Sequence, residues 1–177
     1  MCETPGLRSC LGIWTNNSNP GSETLHMATY MSKTSAIYHI VINTIYRKKT
    51  IDEKNKKELY KYIYGIIQNN SSTLLRINGI GNHIHILLDL HPSISLATLV
   101  QKIKQSSSRW LRENPNFPLF EGWGKEYFAF SYHQSQIPTV KQYIINQEEH
   151  HRFHPFEEEL QNFCKENGIE WNDFLLT

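Results

Sequence analysis

Residues 83–88 read His-Ile-His-Ile-Leu-Leu, and this short run limits the fold more than any other segment. Side chains two apart on a strand share a face, so His83 and His85 project together while Ile84, Ile86 and Leu88 point the other way. A strand of this kind needs a sheet with one covered apolar face. The isoleucine face then belongs to the core, and the two histidines are expected on the opposite, more accessible face.

The neighbouring segments supply the rest of such a sheet. Ile37–Ile42 has the β-branched and aromatic content of a buried strand. After the basic turn Arg47-Lys48-Lys49, Asp52 can cap a helix reaching Asn69, with Leu59, Ile63, Ile66 and Ile67 at helical spacing. Leu74–Asn78 reads as a strand, Gly79-Ile80-Gly81-Asn82 as a turn, and His83–Leu90 as the second arm of a hairpin. Ser95 is placed to cap a helix carrying Leu96, Leu99, Val100, Ile103 and Trp110 and ending near Asn114-Pro115. Tyr127–Tyr132 is a fourth strand. Pro138 and Thr139 open a helix running to about His151, and Phe156–Asn167 forms a last amphipathic helix stopped at Gly168. The order βαββαβ predicts an α+β, ferredoxin-like (RRM-like) antiparallel sheet with helices on one face plus C-terminal helices.

With 177 residues the chain suits one core rather than two. Residues 1–30, rich in Ser, Asn, Gly and Pro, are expected to be a disordered leader, and residues 31–177 one domain. Met27 and Met31 are plausible later starts. No apolar run is long enough to span a bilayer, so no membrane role is expected. Three cysteines at 2, 10 and 164 form neither a CxxC pair nor a disulfide framework, which fits a reducing cytoplasm. A formal charge of +1 excludes a strongly basic nucleic-acid binder, so any such binding depends on local patches and on stacking.

Two constellations could carry chemistry. The His83/His85 pair has the geometry of metal ligands, although histidines satisfied in ordinary packing give the same pattern. Val140, Tyr143, Ile144 and Gln147 form one stripe of the penultimate helix, with Tyr143 and Gln147 one turn apart. Tyr143 alone suits a core aromatic. An amide on an apolar stripe, however, needs a polar partner, and a metal shared with the histidine pair would provide one. His150 and His151, consecutive on a helix, point about 100° apart and are expected to face DNA or solvent rather than to share an ion. Asp89 reads as structural. Lys102, Lys104, Arg109 and Arg112 are candidates for phosphate contact, and Trp123, Tyr127 and Tyr132 for stacking on unpaired bases.

His-hydrophobe-His on a strand, a Ser-rich basic helix (Lys104 to Arg109), Tyr127-Phe128-Ala129-Phe130-Ser131 and a helical Tyr-Ile-x-Asn-Gln-x-x-His-His occur here in one order and spacing. Together they resemble the single-tyrosine HUH transposases, the IS200-like family, and in particular its REP-associated branch. The resemblance covers most of residues 35–175. It implies that His83, His85 and Gln147 bind a divalent cation, Mg²⁺ or Mn²⁺, and that Tyr143 is the nucleophile. It implies cleavage and rejoining of single-stranded DNA, beside a hairpin, through a covalent 5′-phosphotyrosine link. A closed zinc site uses more His or Cys, whereas two histidines and an amide oxygen suit Mg²⁺ or Mn²⁺. A homodimer is expected, no nucleotide cofactor is expected, and the site could be completed in cis or in trans. Where many relatives have Ser-Val-Gly after the last strand, this chain has Ser131-Tyr132-His133 and then Gln134-Ser135-Gln136, a different lead into the tyrosine helix.

Two other readings fit the same elements. One is a non-catalytic single-stranded nucleic-acid-binding module of RRM type, which would need an RNP pattern that the chain lacks. The other is a domesticated relative that keeps the ligands but serves its host.

Overall fold

Alternating apolar strands and amphipathic helices assemble around a four-stranded antiparallel sheet, as described by a computed structural model for residues 33–171 except His154. The expected leader lies outside the described residues. In chain order the elements are β1 (Ile37–Asn43), α1 (Lys56–Asn69), β2 (Thr73–Ile80), β3 (His83–Asp89), α2 (Leu96–Glu113), β4 (Phe128–Tyr132), α3 (Ile137–Ile145), α4 (Gln147–His150) and α5 (Phe156–Glu166). The strand order is β2-β3-β1-β4, and all three pairings are antiparallel. This is the ferredoxin-like arrangement that the βαββαβ pattern predicts.

Register decides which residues meet. Ile40 pairs with Ile86 and Ile42 with Ile84 across β1 and β3, so these four share one face. Under it, α1 contributes Leu59, Ile63 and Ile67, and α2 contributes Leu99, Val100, Ile103 and Leu111, all buried in the main core. Each such side chain stabilises the fold by about 1.5–3 kcal/mol on leaving water, enough to fix the register against a one-residue slip. Trp110 packs against this core and stacks on Tyr62, ring centroids 4.9 Å apart.

The opposite face departs from expectation. Sequence pattern leaves it accessible, yet His39, His83 and His85 on it are each 0% exposed. The cause is a second helical layer. Val140 and Ile144 of α3 pack on Ile37 and Leu87, while Phe156, Leu160 and Cys164 of α5 pack on Val41, Phe128 and Phe130. The apolar residues that alternate with the histidines on this face, Ile37 and Val41 of β1 and Leu87 of β3, together with Phe128 and Phe130 of β4, seat these stripes.

Element ends differ locally for identifiable reasons. Asp52 does accept two backbone N–H groups, from Lys54 and Asn55, each at 2.9 Å, but these close a turn and α1 begins only at Lys56. The strands of the hairpin run on through Ile80, which pairs with His83, so the turn shrinks to Gly81-Asn82. Ser95 caps α2 as its position predicts, its hydroxyl accepting from the Thr98 N–H at 3.1 Å. The departure at 133–136 is a capped 3₁₀ turn, in which the His133 ring accepts from the Ser135 N–H and the Gln136 side chain accepts from the His133 N–H. The single helix expected over 138–151 is broken at Asn146, between α3 and α4. No helix among the described residues is long and apolar enough to cross a membrane.

Candidate metal centre and tyrosine

β3 turns His83 and His85 toward the α3–α5 layer, and each ring is oriented by its other nitrogen. His83 Nδ1 lies 2.8 Å from Asn82 Oδ1. A carbonyl oxygen can only accept, so His83 carries its proton on Nδ1 and turns a bare Nε2 inward. His85 Nδ1 lies 2.9 Å from Nε2 of His39 on β1. His39 pairs with Leu87 and Val41 with His85, so the two histidines are diagonal neighbours on one face.

The Asn146 break leaves Gln147 at the start of α4, with its side chain fully buried beside the pair. Gln147 Nε2 donates to Glu159 Oε1 on α5 at 3.1 Å. His151, one turn beyond Gln147, brings Nε2 to 3.1 Å from Glu159 Oε2. Glu159 also stands 3.6 Å from His85 Nε2 and 3.9 Å from His83 Nε2. One ligand atom from each of His83, His85, His151 and Glu159 lies within 4.8 Å of all the others, a spacing that a single ion can bridge.

Three features test whether these residues suit a cation. His83 Nε2, His85 Nε2 and Gln147 Oε1 are buried without a hydrogen-bond partner, an arrangement costly in a dry interior unless another acceptor of lone pairs enters. Burial first, and then the nearby His151, hold His83 well below the usual histidine range, against the pull of Gln147. Burial, and then His83 and His39, do the same for His85. Both rings are therefore neutral, as a ligand must be. Burial alone raises the Glu159 carboxyl to about 8, so without a cation the contact with His151 joins a largely protonated acid to an imidazole and is not an ion pair near neutrality. The donor set fits a divalent cation.

Tyr143, in the last turn of α3, packs beside this cluster. Its ring meets His85 at 6.0 Å and His150 at 5.5 Å in edge geometry, and its hydroxyl is buried with no partner. A cleft of about 270 Å³ beside it is lined by Tyr143, His150, Glu159, Asn162, Phe163 and Glu166. The structure thus brings His83, His85, Gln147 and Tyr143 together within one chain.

It also corrects two expectations. His151 is not a surface residue, because its side chain is 5% exposed and faces the cluster, while His150 turns toward Tyr143. Only one of the two consecutive histidines joins the group, as their 100° separation requires. Trp123 is not free to stack on a base: it is 9% exposed, packed in the main core, and its indole N–H donates to Ser107 Oγ at 2.9 Å.

The remaining DNA candidates lie elsewhere. Lys102 reaches Asn70 Oδ1 at 2.6 Å, Lys104 the Lys125 carbonyl at 2.7 Å and Arg112 the Glu121 carbonyl at 3.0 Å. Arg109 and Arg112 line one groove on α2, which packs on the isoleucine face, across the sheet from Tyr143. Tyr127 packs partly buried against that same core. Tyr132 is on the histidine face, 6.2 Å from His39, its phenol raised by burial and by Glu166. Asp89 is structural, accepting the Ala36 N–H at 2.9 Å.

Sequence reading set His151 aside as facing DNA or solvent and passed over His39 and Glu159. For two of these three a signal existed. His151 is four residues after Gln147 and so on its face, and Glu159 interrupts the apolar stripe Phe156, Leu160, Phe163 of the last helix. His39 needs the β1–β3 register, which no local pattern supplies.

Comparison with known families and structures bears on the family and on the fold. The family model described as "Transposase IS200 like" matches residues 32–147. A REP-associated tyrosine transposase bound to a REP hairpin superposes with a TM-score of 0.53 at 12% identity, covering 68% of this chain and 74% of that one. A Deinococcus radiodurans R1 protein described as a transposase gives a TM-score of 0.48 at 21% identity, covering 66% and 94%. A search of curated proteins finds no match.

Proposed function

The chain belongs to the IS200-like transposase family, and from that premise we propose that it cuts and rejoins single-stranded DNA, with Tyr143 as nucleophile and His83, His85 and Gln147 as ligands of a divalent cation. The observation that carries this reading is a set of unpartnered buried atoms, the Nε2 nitrogens of His83 and His85 and the Gln147 amide oxygen, beside a tyrosine whose ring lies 6.0 Å from that of His85 and whose own hydroxyl is buried without a partner.

In cleavage the Tyr143 oxygen attacks the scissile phosphorus in line. The P–O3′ bond breaks, a Tyr143–phosphorus bond forms to the 5′ side, and the phenol proton passes, directly or through water, to the leaving 3′ oxygen. A bound divalent cation supplies charge stabilisation on the nonbridging oxygens and orients the phosphate. His83 and His85 hold that cation from a rigid strand, and Gln147 holds it from the helix that follows the nucleophile. The covalent link keeps the phosphodiester energy, so a 3′-OH from another end can reverse the step. That reversal is strand transfer.

His151 and Glu159 extend the donor set to three imidazoles, a carboxylate and an amide, which favours Mn²⁺ over Mg²⁺ more than two histidines and an amide would. All these groups come from one chain, which supports completion in cis. The homodimer expected from the resemblance is not needed for the site. The hairpin carried by the REP-associated structure makes hairpin-flanked single strands the substrate class to try first.

The test incubates protein with single-stranded oligonucleotides from the flanks of its own gene plus Mn²⁺ or Mg²⁺ and looks for a covalent adduct on a denaturing gel. Wild type is expected to shift and Tyr143→Phe to show no adduct. An adduct that survives Tyr143→Phe removes the nucleophile assignment. Tight hairpin binding with no adduct from any flank returns the protein to the binding-module or domesticated reading.

A further inference from the structure

We propose that His39 is a positioning residue for the metal centre: its Nε2 accepts the Nδ1–H of His85 and so turns the His85 Nε2 lone pair toward the cation. The inference rests on the reading of His83 and His85 as ligands and adds a residue to it. The two ligand rings are treated alike by the fold. Asn82 Oδ1 holds His83 Nδ1 at 2.8 Å, and His39 Nε2 holds His85 Nδ1 at 2.9 Å. An amide oxygen can only accept, so the His83 tautomer is fixed. An imidazole can do either, so the His39–His85 pair has two neutral arrangements.

In the first, His39 donates from Nε2, and His85 carries its proton on Nε2, facing Glu159 Oε1 at 3.6 Å. A ring in that form offers no lone pair to a cation. In the second, His85 donates from Nδ1 and His39 carries its proton on Nδ1. Both arrangements hold two protons on two rings, so the change between them is a tautomeric exchange with no net proton gained or lost. Only the second makes His85 a ligand.

His39 is suited to the accepting role. It is 0% exposed, lies at the foot of the same sheet face, and is walled by Phe130, Tyr132, Tyr143 and Phe163. Its outer nitrogen, Nδ1, is buried and without a partner, so neither arrangement is fixed from that side and the demand of the cation on His85 decides between them. The ring also stacks on His85, centroids 5.1 Å apart at 26°, which limits rotation of the ligand.

Glutamine and asparagine separate this role from simple packing. A Gln side chain puts its amide near the ring Nε2 position, and Asn puts it near Nδ1. Calorimetric titration with Mn²⁺ is expected to find His39→Gln within a few-fold of wild type and His39→Asn about 10–100-fold weaker, the usual loss when the outer partner of a metal-bound histidine is removed. Equal affinities for the two variants overturn the inference. If the double variant His83→Ala, His85→Ala binds Mn²⁺ as tightly as wild type, the ligand reading itself fails; if it loses binding while the two His39 variants match, only the role of His39 fails. A measurement on the unaltered chain does not depend on how variants fold. With diamagnetic Zn²⁺ bound, ¹⁵N-imidazole NMR is expected to find His85 protonated at Nδ1, and protonation at Nε2 overturns the inference.

Discussion

Glu159 carries the sharpest consequence at the scale of single residues. Its carboxyl sits at about 8 because it is buried, and cation binding must displace its proton. Mn²⁺ binding near pH 7 should therefore release about one proton per ion, seen as a binding enthalpy that changes with the ionisation enthalpy of the buffer. Glu159→Gln should abolish that dependence, and a buffer-independent enthalpy in the wild type would show that Glu159 stays outside the coordination shell. The same shift sets stability without metal. A carboxyl raised in the folded state stabilises the fold fully below the unfolded pKa and loses that contribution as pH rises through about 8. His39, lowered to about 4, works in the other direction: its contribution is complete above the unfolded value and is lost as pH falls through about 4. Metal-free protein should thus be most stable at intermediate pH. Its thermal midpoint should fall between about pH 6 and about pH 9, and Glu159→Gln should flatten that decline. Single residues were also where sequence was least informative. The strand alternation put His83 and His85 on one face and the stripe put Tyr143 and Gln147 one turn apart, because both signals are periodic, while their roles came from the family resemblance alone. His39 stands alone in an apolar strand, and its partner comes from 46 positions away.

At the scale of elements, the hairpin and the α3–α4 junction hold the site open to one geometry. Asn78 on β2 donates from Nδ2 to the carbonyls of Ile144 and Ile145 at 2.9 and 3.1 Å, satisfying acceptors freed where α3 ends. Asn78→Leu should cost about 1–2 kcal/mol in chemical unfolding and speed amide exchange in α3 before other helices, whereas uniform exchange would mean that the junction is held by packing alone. Gly79 pairs with Ile84, and a Cβ there would stand 2.3 Å from the His83 carbonyl oxygen and 2.7 Å from Ile84 Cα. Gly79→Ala should destabilise by about 2–3 kcal/mol and weaken Mn²⁺ binding by shifting β3. Helix and strand types were readable from period and caps. The break at Asn146 was not, since Ile144, Ile145, Gln147 and Glu148 continue a helical pattern and the Asn78 side chain that takes up the freed carbonyls comes from a distant strand.

For the whole molecule, the sheet is covered twice, and the two layers divide the labour. α1 and α2 bury the isoleucine face and stabilise the fold, while α3, α4 and α5 bury the histidine face and bring donors to it. The βαββαβ order made the first layer legible. The second could be named as C-terminal helices, but where they dock depends on Val41, Phe128 and Phe130 offering apolar seats between the histidines, which emerges only from register. With every donor on one chain, a mixture of Tyr143→Phe protein with a His83→Ala, His85→Ala variant should regain no adduct formation. Recovery in the mixture would mean that tyrosine and ligands meet across two chains.

Because His83, His85 and Gln147 are wholly enclosed, the centre would respond to chelators by waiting. An ion held there would leave through the cleft lined by Tyr143 and Glu159 or when α5 parts from the sheet, and in the second case its lifetime is set by how often the covering helix opens and not by how strongly the donors hold. EDTA should then strip the metal at a rate independent of EDTA concentration, a rate that times the opening of the protein itself.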